Sequence, residues 1–175
     1  MWNLRNRQPS VVKDMIPWWK TGLYPTWSHS AEQVAFGSVT KMDFRIVTLS
    51  ADGAVVSLTE WPECLGVCNI LRLSWSPTDT SLTYWQVDIT SRYPSKLLLL
   101  DVITGEQSIL LEGDYSANRL HWSPDAEYLA FISHSNEAFS QEPEAITIFD
   151  VNNREIILTH KLVYSSRIVG WISTY

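Results

Sequence analysis

The chain has 175 residues, enough to bury a substantial core, and its hydrophobic share of 45% argues against general disorder. Nineteen acidic against thirteen basic side chains leave a net charge of −6, which argues against a protein that grips a phosphate backbone. No run approaches the roughly eighteen apolar residues of a membrane-spanning helix, and "MWNLRNRQPSVV" lacks the apolar segment of a secretory leader.

Taken in chain order, residues 1–14 lie well over the later stretch "LDVITGEQSIL" and read as the outer strands of a split sheet unit. The segment "MIPWWKTGLYPTW" follows, with Trp18, Trp19 and Tyr24 able to cover an apolar face or to form a carbohydrate platform. A unit over 23–59 opens on "PTWSHSAEQVAFGS" and continues through "FRIVTL", the turn "SADG" and "AVVSLT". The connection 59–70 carries Cys64 and Cys68 in "CLGVC". That spacing permits a small disulfide loop or two free thiols, and two thiols alone do not complete a zinc site. A second unit over 71–111 opens on "LSWSPTDTSLTYWQ", and a third over 119–160 opens on "RLHWSPDAEYLAFIS". Residues 167–175 hold a truncated copy, "IVGWIS", which reads as the inner strand of a further unit.

These units are one repeat. Trp27, Trp75, Trp122 and Trp171 are separated by 48, 47 and 49 residues. Seven residues after each of the first three stands an aliphatic side chain (Val34, Leu82, Leu129), and nine after stands an aromatic one (Phe36, Tyr84, Phe131). Short alternating strands punctuated by Gly, Pro, Asn and Asp turns, with no helical period, predict all-β structure. Four strands in a repeat of this length predict a propeller blade. The expected fold is thus a partial or small β-propeller, a single segment over 1–175 with about three complete blades and half blades at each terminus. The four repeat tryptophans are expected to be structural, filling the wedges between blades.

"WSPDAEYLAFIS" resembles the Trp-Ser-Pro-Asp-Gly signature of TolB-like propeller repeats, relatives of WD-repeat propellers. The resemblance covers essentially the whole chain and implies the fold, while propellers host unrelated activities. Ala126 stands where the family has glycine, His29 replaces the proline of the first copy, and Thr78-Asp79 replaces Asp-Gly in the second. These departures are expected to alter the turns locally.

The sequence carries no Gly-x-Ser-x-Gly elbow, no His-Glu-x-x-His and no phosphate loop. His29, His121, His134 and His160 show no metal spacing, and no catalytic residue, metal site or cofactor is expected. His121, on a predicted inner strand, reads as an interior histidine. Asp52, Glu106, Asp125 and Asp150 read as turn residues whose carboxylates bond backbone amides. The longer connections, which include 88–95, 134–145 and 112–118, share one end of a propeller, and length spent on one face points to binding there. The candidate partner-binding residues on that acidic, aromatic face are Glu60, Trp61, Arg92, Tyr93, Glu112, Asp114, Tyr115 and Phe139.

An arc of three to four blades leaves faces to cover. The remaining blades of a longer propeller, a homodimer completing the ring, or closure as a four-bladed ring would each do so. The expected function is a non-catalytic module for protein or ligand binding, with no nucleic acid and no membrane span. The alternatives are the gating propeller of a prolyl-oligopeptidase-like serine hydrolase, whose blades are similar, and a periplasmic or cell-surface sensor. Compartment stays open.

Overall fold

The computed structural model describes residues 25–40, 43–60, 68–88, 95–113, 115, 119–133, 145–162, 168 and 170–172. The segments 1–14 and 15–24, with Trp18, Trp19 and Tyr24, lie outside them, as does Cys64. Twelve strands form three four-stranded sheets, and the described residues contain no helix. Blade one comprises β1 (Thr26–Trp27), β2 (Gln33–Thr40), β3 (Asp43–Ser50) and β4 (Val55–Glu60). Blade two comprises β5 (Cys68–Trp75), β6 (Ser81–Asp88), β7 (Ser95–Asp101) and β8 (Gln107–Gly113). Blade three comprises β9 (His121–Trp122), β10 (Tyr128–Ser133), β11 (Ala145–Asp150) and β12 (Glu155–Lys161). Each blade is an antiparallel meander in chain order, and the three together form a partial β-propeller.

The period-two alternation of the strands explains how the blades stack, because successive side chains point to opposite faces. Ala35 and Ile46 of blade one pack with Ile70, Trp75, Leu82, Tyr84, Leu98 and Leu100 of blade two. Trp85, Leu97 and Leu110 of blade two pack with Leu120, Leu129, Phe131 and Phe149 of blade three. Val34, Phe36, Val47 and Leu49 cluster on the other face of blade one. In blades two and three the repeated aliphatic and aromatic positions thus look back toward the preceding blade. Each such fully buried side chain contributes about 1.5–3 kcal/mol.

The outer edge of every blade is built alike. In all three, the register shifts between third and fourth strands, at Thr48/Leu49, Leu97/Leu98 and Ile148/Phe149. Such bulges increase the local twist and turn the outer edge. β12 is exposed along its whole length, including Ile156, Ile157 and Leu158.

Of the repeat tryptophans, Trp75 is 2% exposed, and Trp122 and Trp171 are half-buried. Trp27 departs from the expected wedge-filling role at 47% exposed. Its blade is the first among the described residues, so no preceding described blade stands against it.

Candidate functional site

The three Trp-Ser corners lie at one end of the stack and share one construction. Ser28, Ser76 and Ser123 are buried, and each hydroxyl accepts from the amide five residues on: Gln33 (3.0 Å), Ser81 (3.2 Å) and Tyr128 (2.9 Å). The amides of Ala31, Asp79 and Ala126 donate to the carbonyls of the same serines, each at 3.0 Å. Those three residues have φ of 58°, 57° and 62°. The left-handed position is thus kept without glycine. The serine cage and the flanking strand pairs over-determine the backbone there.

The corners also tie blades together. Trp75 Nε1 donates to the carbonyl of Thr26 at 3.0 Å, the residue before the preceding blade's tryptophan. Trp171 Nε1 repeats this bond to His121 O at 3.2 Å. Trp122 Nε1 has no partner, although it is covered from water. The counterpart carbonyl, Ser74 O, accepts from Thr83 Oγ1 at 3.3 Å, and Ser74 Oγ reaches Leu120 O at 3.3 Å. Asp79 adds a clasp to blade one, accepting the amides of His29 (2.6 Å) and Ser30 (2.8 Å), with His29 Nδ1 at 3.5 Å. Burial raises the Asp79 pKa, but the hydrogen bonds from Ser30 and His29 and the nearby imidazole outweigh it and hold the carboxyl below its ordinary value.

A groove of about 440 Å3 opens between these corners. Trp75, Trp122 and Trp171 line it together with Pro77, Pro124 and Leu120, and its polar lining is His29, Ser74 and His121. Burial and then the nearby Arg119 charge push the His121 pKa down, which favours the neutral imidazole. The groove is therefore concave and ring-rich, and no carboxylate, ammonium or guanidinium group lines it. Among the described residues, no group of three or more His, Cys, Asp or Glu is placed to hold a metal.

The long-loop residues fall differently. Trp61, Arg92, Tyr93, Asp114 and Phe139 lie outside the described residues, and Glu60 ends β4. Glu112 is exposed on β8 and pairs with Lys96 across the strands at 3.8 Å, a contact of little energetic weight. Tyr115 is half-buried, its ring 6.0 Å from Trp85 and 6.1 Å edge-on to Phe131, so it is part of the interface between blades two and three. Of the expected turn acids, Asp125 and Asp150 accept amides from Glu127 and Asn153, and Asp52 accepts from Ala54. In blade two that role belongs to Asp101, which accepts from Ile103 and Thr104, while Glu106 is exposed.

The sequence reading passed over Pro77, Pro124 and Leu120 as site residues, and over the Asp79 clasp. A signal existed. Corners repeated on successive inner strands must meet at one end, which brings each Trp-Ser-Pro close to the next.

Similarity to solved structures is now informative. The chain resembles the β-propeller domain of the Trilobed protease from Pyrococcus furiosus, with a TM-score of 0.59 and 18% identity over 87% of this chain and 45% of that one. It resembles a putative TolB from Agrobacterium tumefaciens, with a TM-score of 0.54 and 13% identity over 79% of this chain and 51% of that one. It also resembles the Pyrococcus horikoshii acylaminoacyl peptidase, with a TM-score of 0.55 and 16% identity over 80% of this chain and 25% of that one. The chain thus spans about half or less of the length of each. No protein-family model and no curated protein matches it. At these identities the likeness establishes the propeller fold.

Proposed function

We propose that this chain is a TolB-like, non-catalytic propeller module that binds a protein or ligand in the groove at its corner end. The observation that carries the reading is the groove itself: concave, walled by three indoles and two proline rings, and carrying a few convergent polar groups. The test places a carboxylate there. For any ligand found to bind, His121→Glu should weaken binding at least about tenfold while the thermal unfolding midpoint stays within a few degrees. A ligand indifferent to His121→Glu but lost on Glu112→Lys would move the site to the acidic long-loop end.

A second reading has one observation in its favour, the likeness to propellers of peptidases. The chain would then be the gating propeller of a prolyl-oligopeptidase-like serine hydrolase, with catalysis in another domain. A Ser-Asp-His hydrolase segment in the same gene decides for it.

A further inference from the structure

The outer strand of blade three has a free edge whose sequence complements itself. We propose that β12 docks against β12 of a second copy of this chain, antiparallel about a two-fold axis at Leu158. β12 ends its sheet, and among the described residues no strand pairs with its far side. All seven of its residues are exposed, with Ile156, Ile157 and Leu158 at 39%, 49% and 48%. Such an edge presents a row of unpaired amides and carbonyls that another chain can extend. Its extra residue at the bulge, Ile157, twists the edge without covering it. A further blade would stack on the sheet's face and leave the rim open. Val55 and Val56 of β4 stay 49% and 48% exposed although blade two packs on blade one.

The register selects the occupant. Antiparallel pairing about Leu158 sets Glu155 opposite the partner's Lys161, and Lys161 opposite the partner's Glu155. Between these ends Ile156 meets His160, Ile157 meets Thr159 and Leu158 meets its own copy. Opposite charges and β-branched pairs directly across strands stabilise a sheet, whereas like charges destabilise it. The other two outer strands lack this match. β4 turned on itself sets Val55 against Glu60, and β8 sets Gln107 against Gly113 and Ser108 against Glu112. A slip of one residue in β12 loses both ion pairs, so the charges also fix the register. The contact is isologous and closes at two copies, and a single short strand pair is a small interface that makes a weak dimer.

Sedimentation velocity over a concentration series tests this, and the chain should show a reversible monomer–dimer equilibrium. Glu155→Lys and Lys161→Glu each set like charges opposite one another at both ends and should each weaken association at least about tenfold. Glu155→Lys also lowers the net negative charge, so general repulsion between copies would predict the opposite change. The double variant carrying both substitutions restores opposite charges and should recover the dimer. An equimolar mixture of the two single variants should associate as well, because every lysine then faces a glutamate. Both positions are exposed, so the unfolding midpoint of each variant should stay within a few degrees. A chain that remains monomeric up to about 1 mM overturns the proposal. So does a dimer indifferent to the single variants, or a loss that neither the double variant nor the mixture recovers.

Discussion

The junction between blades one and two and the junction between blades two and three bury the same kind of apolar wedge and differ in their polar ties. At the first, Trp75 Nε1 bonds Thr26 O, and Asp79 takes two amides of blade one. At the second, Ala126 occupies the place of Asp79, Pro77 offers no amide, and the Nε1 atoms of both Trp85 and Trp122 lack partners. Rings take over there: Trp85 meets Phe131 edge-on at 5.4 Å, with Tyr115 against both. The repeat thus secures the apolar contact everywhere, while single residues in the corner decide how firmly that end is closed. The groove is lined from all three blades and from Trp171.

The difference can be broken most directly at the rings. Trp85→Ala should cost about 3–5 kcal/mol, because a fully buried indole leaves a cavity between two rigid sheets. Urea unfolding measures this, and Ile46→Ala at the first junction should cost about 2–4 kcal/mol. If Trp85→Ala cost under about 1 kcal/mol, the ring cluster would not be holding the second junction. Gly113→Ala acts on the same cluster from behind. A Cβ there would stand 2.6 Å from Tyr115 Cε2, so the ring must move, at an expected cost of about 1–2 kcal/mol.

The polar ties are sharpened by a matched pair of substitutions. Trp75→Phe should destabilise by about 1 kcal/mol, because it leaves Thr26 O without its donor. Trp122→Phe removes a donor that is already unpaired, so its polar term is neutral or favourable. Equal losses in the two variants would contradict the contrast between the junctions. Asp79 adds a pH dependence. Its folded pKa lies below the unfolded value, so its contribution is fully present above the ordinary carboxylate range and is lost as pH falls through the folded pKa. Asp79→Asn should therefore flatten the stability curve below about pH 4, as followed by thermal unfolding across pH.

How much of this was legible in the sequence depends on the range of the interaction. The blades were readable because each Trp, aliphatic and aromatic triple repeats with a nearly constant period, and Leu82, Tyr84, Leu129 and Phe131 all turn inward as that period requires. The Asp79 clasp was not, because the carboxylate and its amides stand 49 and 50 residues apart and only blade stacking brings them together. Asp101 was missed for a local reason: it sits at the strand end, one residue before the turn motif, and its shared role with Asp150 shows only when strand ends are aligned. The groove was hidden by the reading of Trp75 and Trp122 as wedge residues alone. Each also lines the open end of its own wedge, since an indole is long enough to serve both.

The smallest expected effect tests whether the corner or its occupant carries the first junction's tie. Ala126 holds a left-handed conformation that Gly adopts without penalty, so Ala126→Gly relieves about 1–2 kcal/mol of backbone strain. The added freedom of the unfolded chain offsets about 0.4–1 kcal/mol of that relief. The net should be stabilising by about 0.5 kcal/mol, visible as a rise of a few degrees or less in Tm. Asp79→Gly makes the same change of backbone in the second blade but also removes the clasp. Asp tolerates the left-handed region better than Ala, so less strain is relieved, and two amide bonds are lost. The two substitutions should therefore have opposite signs. Stabilisation by both would mean that the turn outweighs the clasp and that the two junctions are held alike.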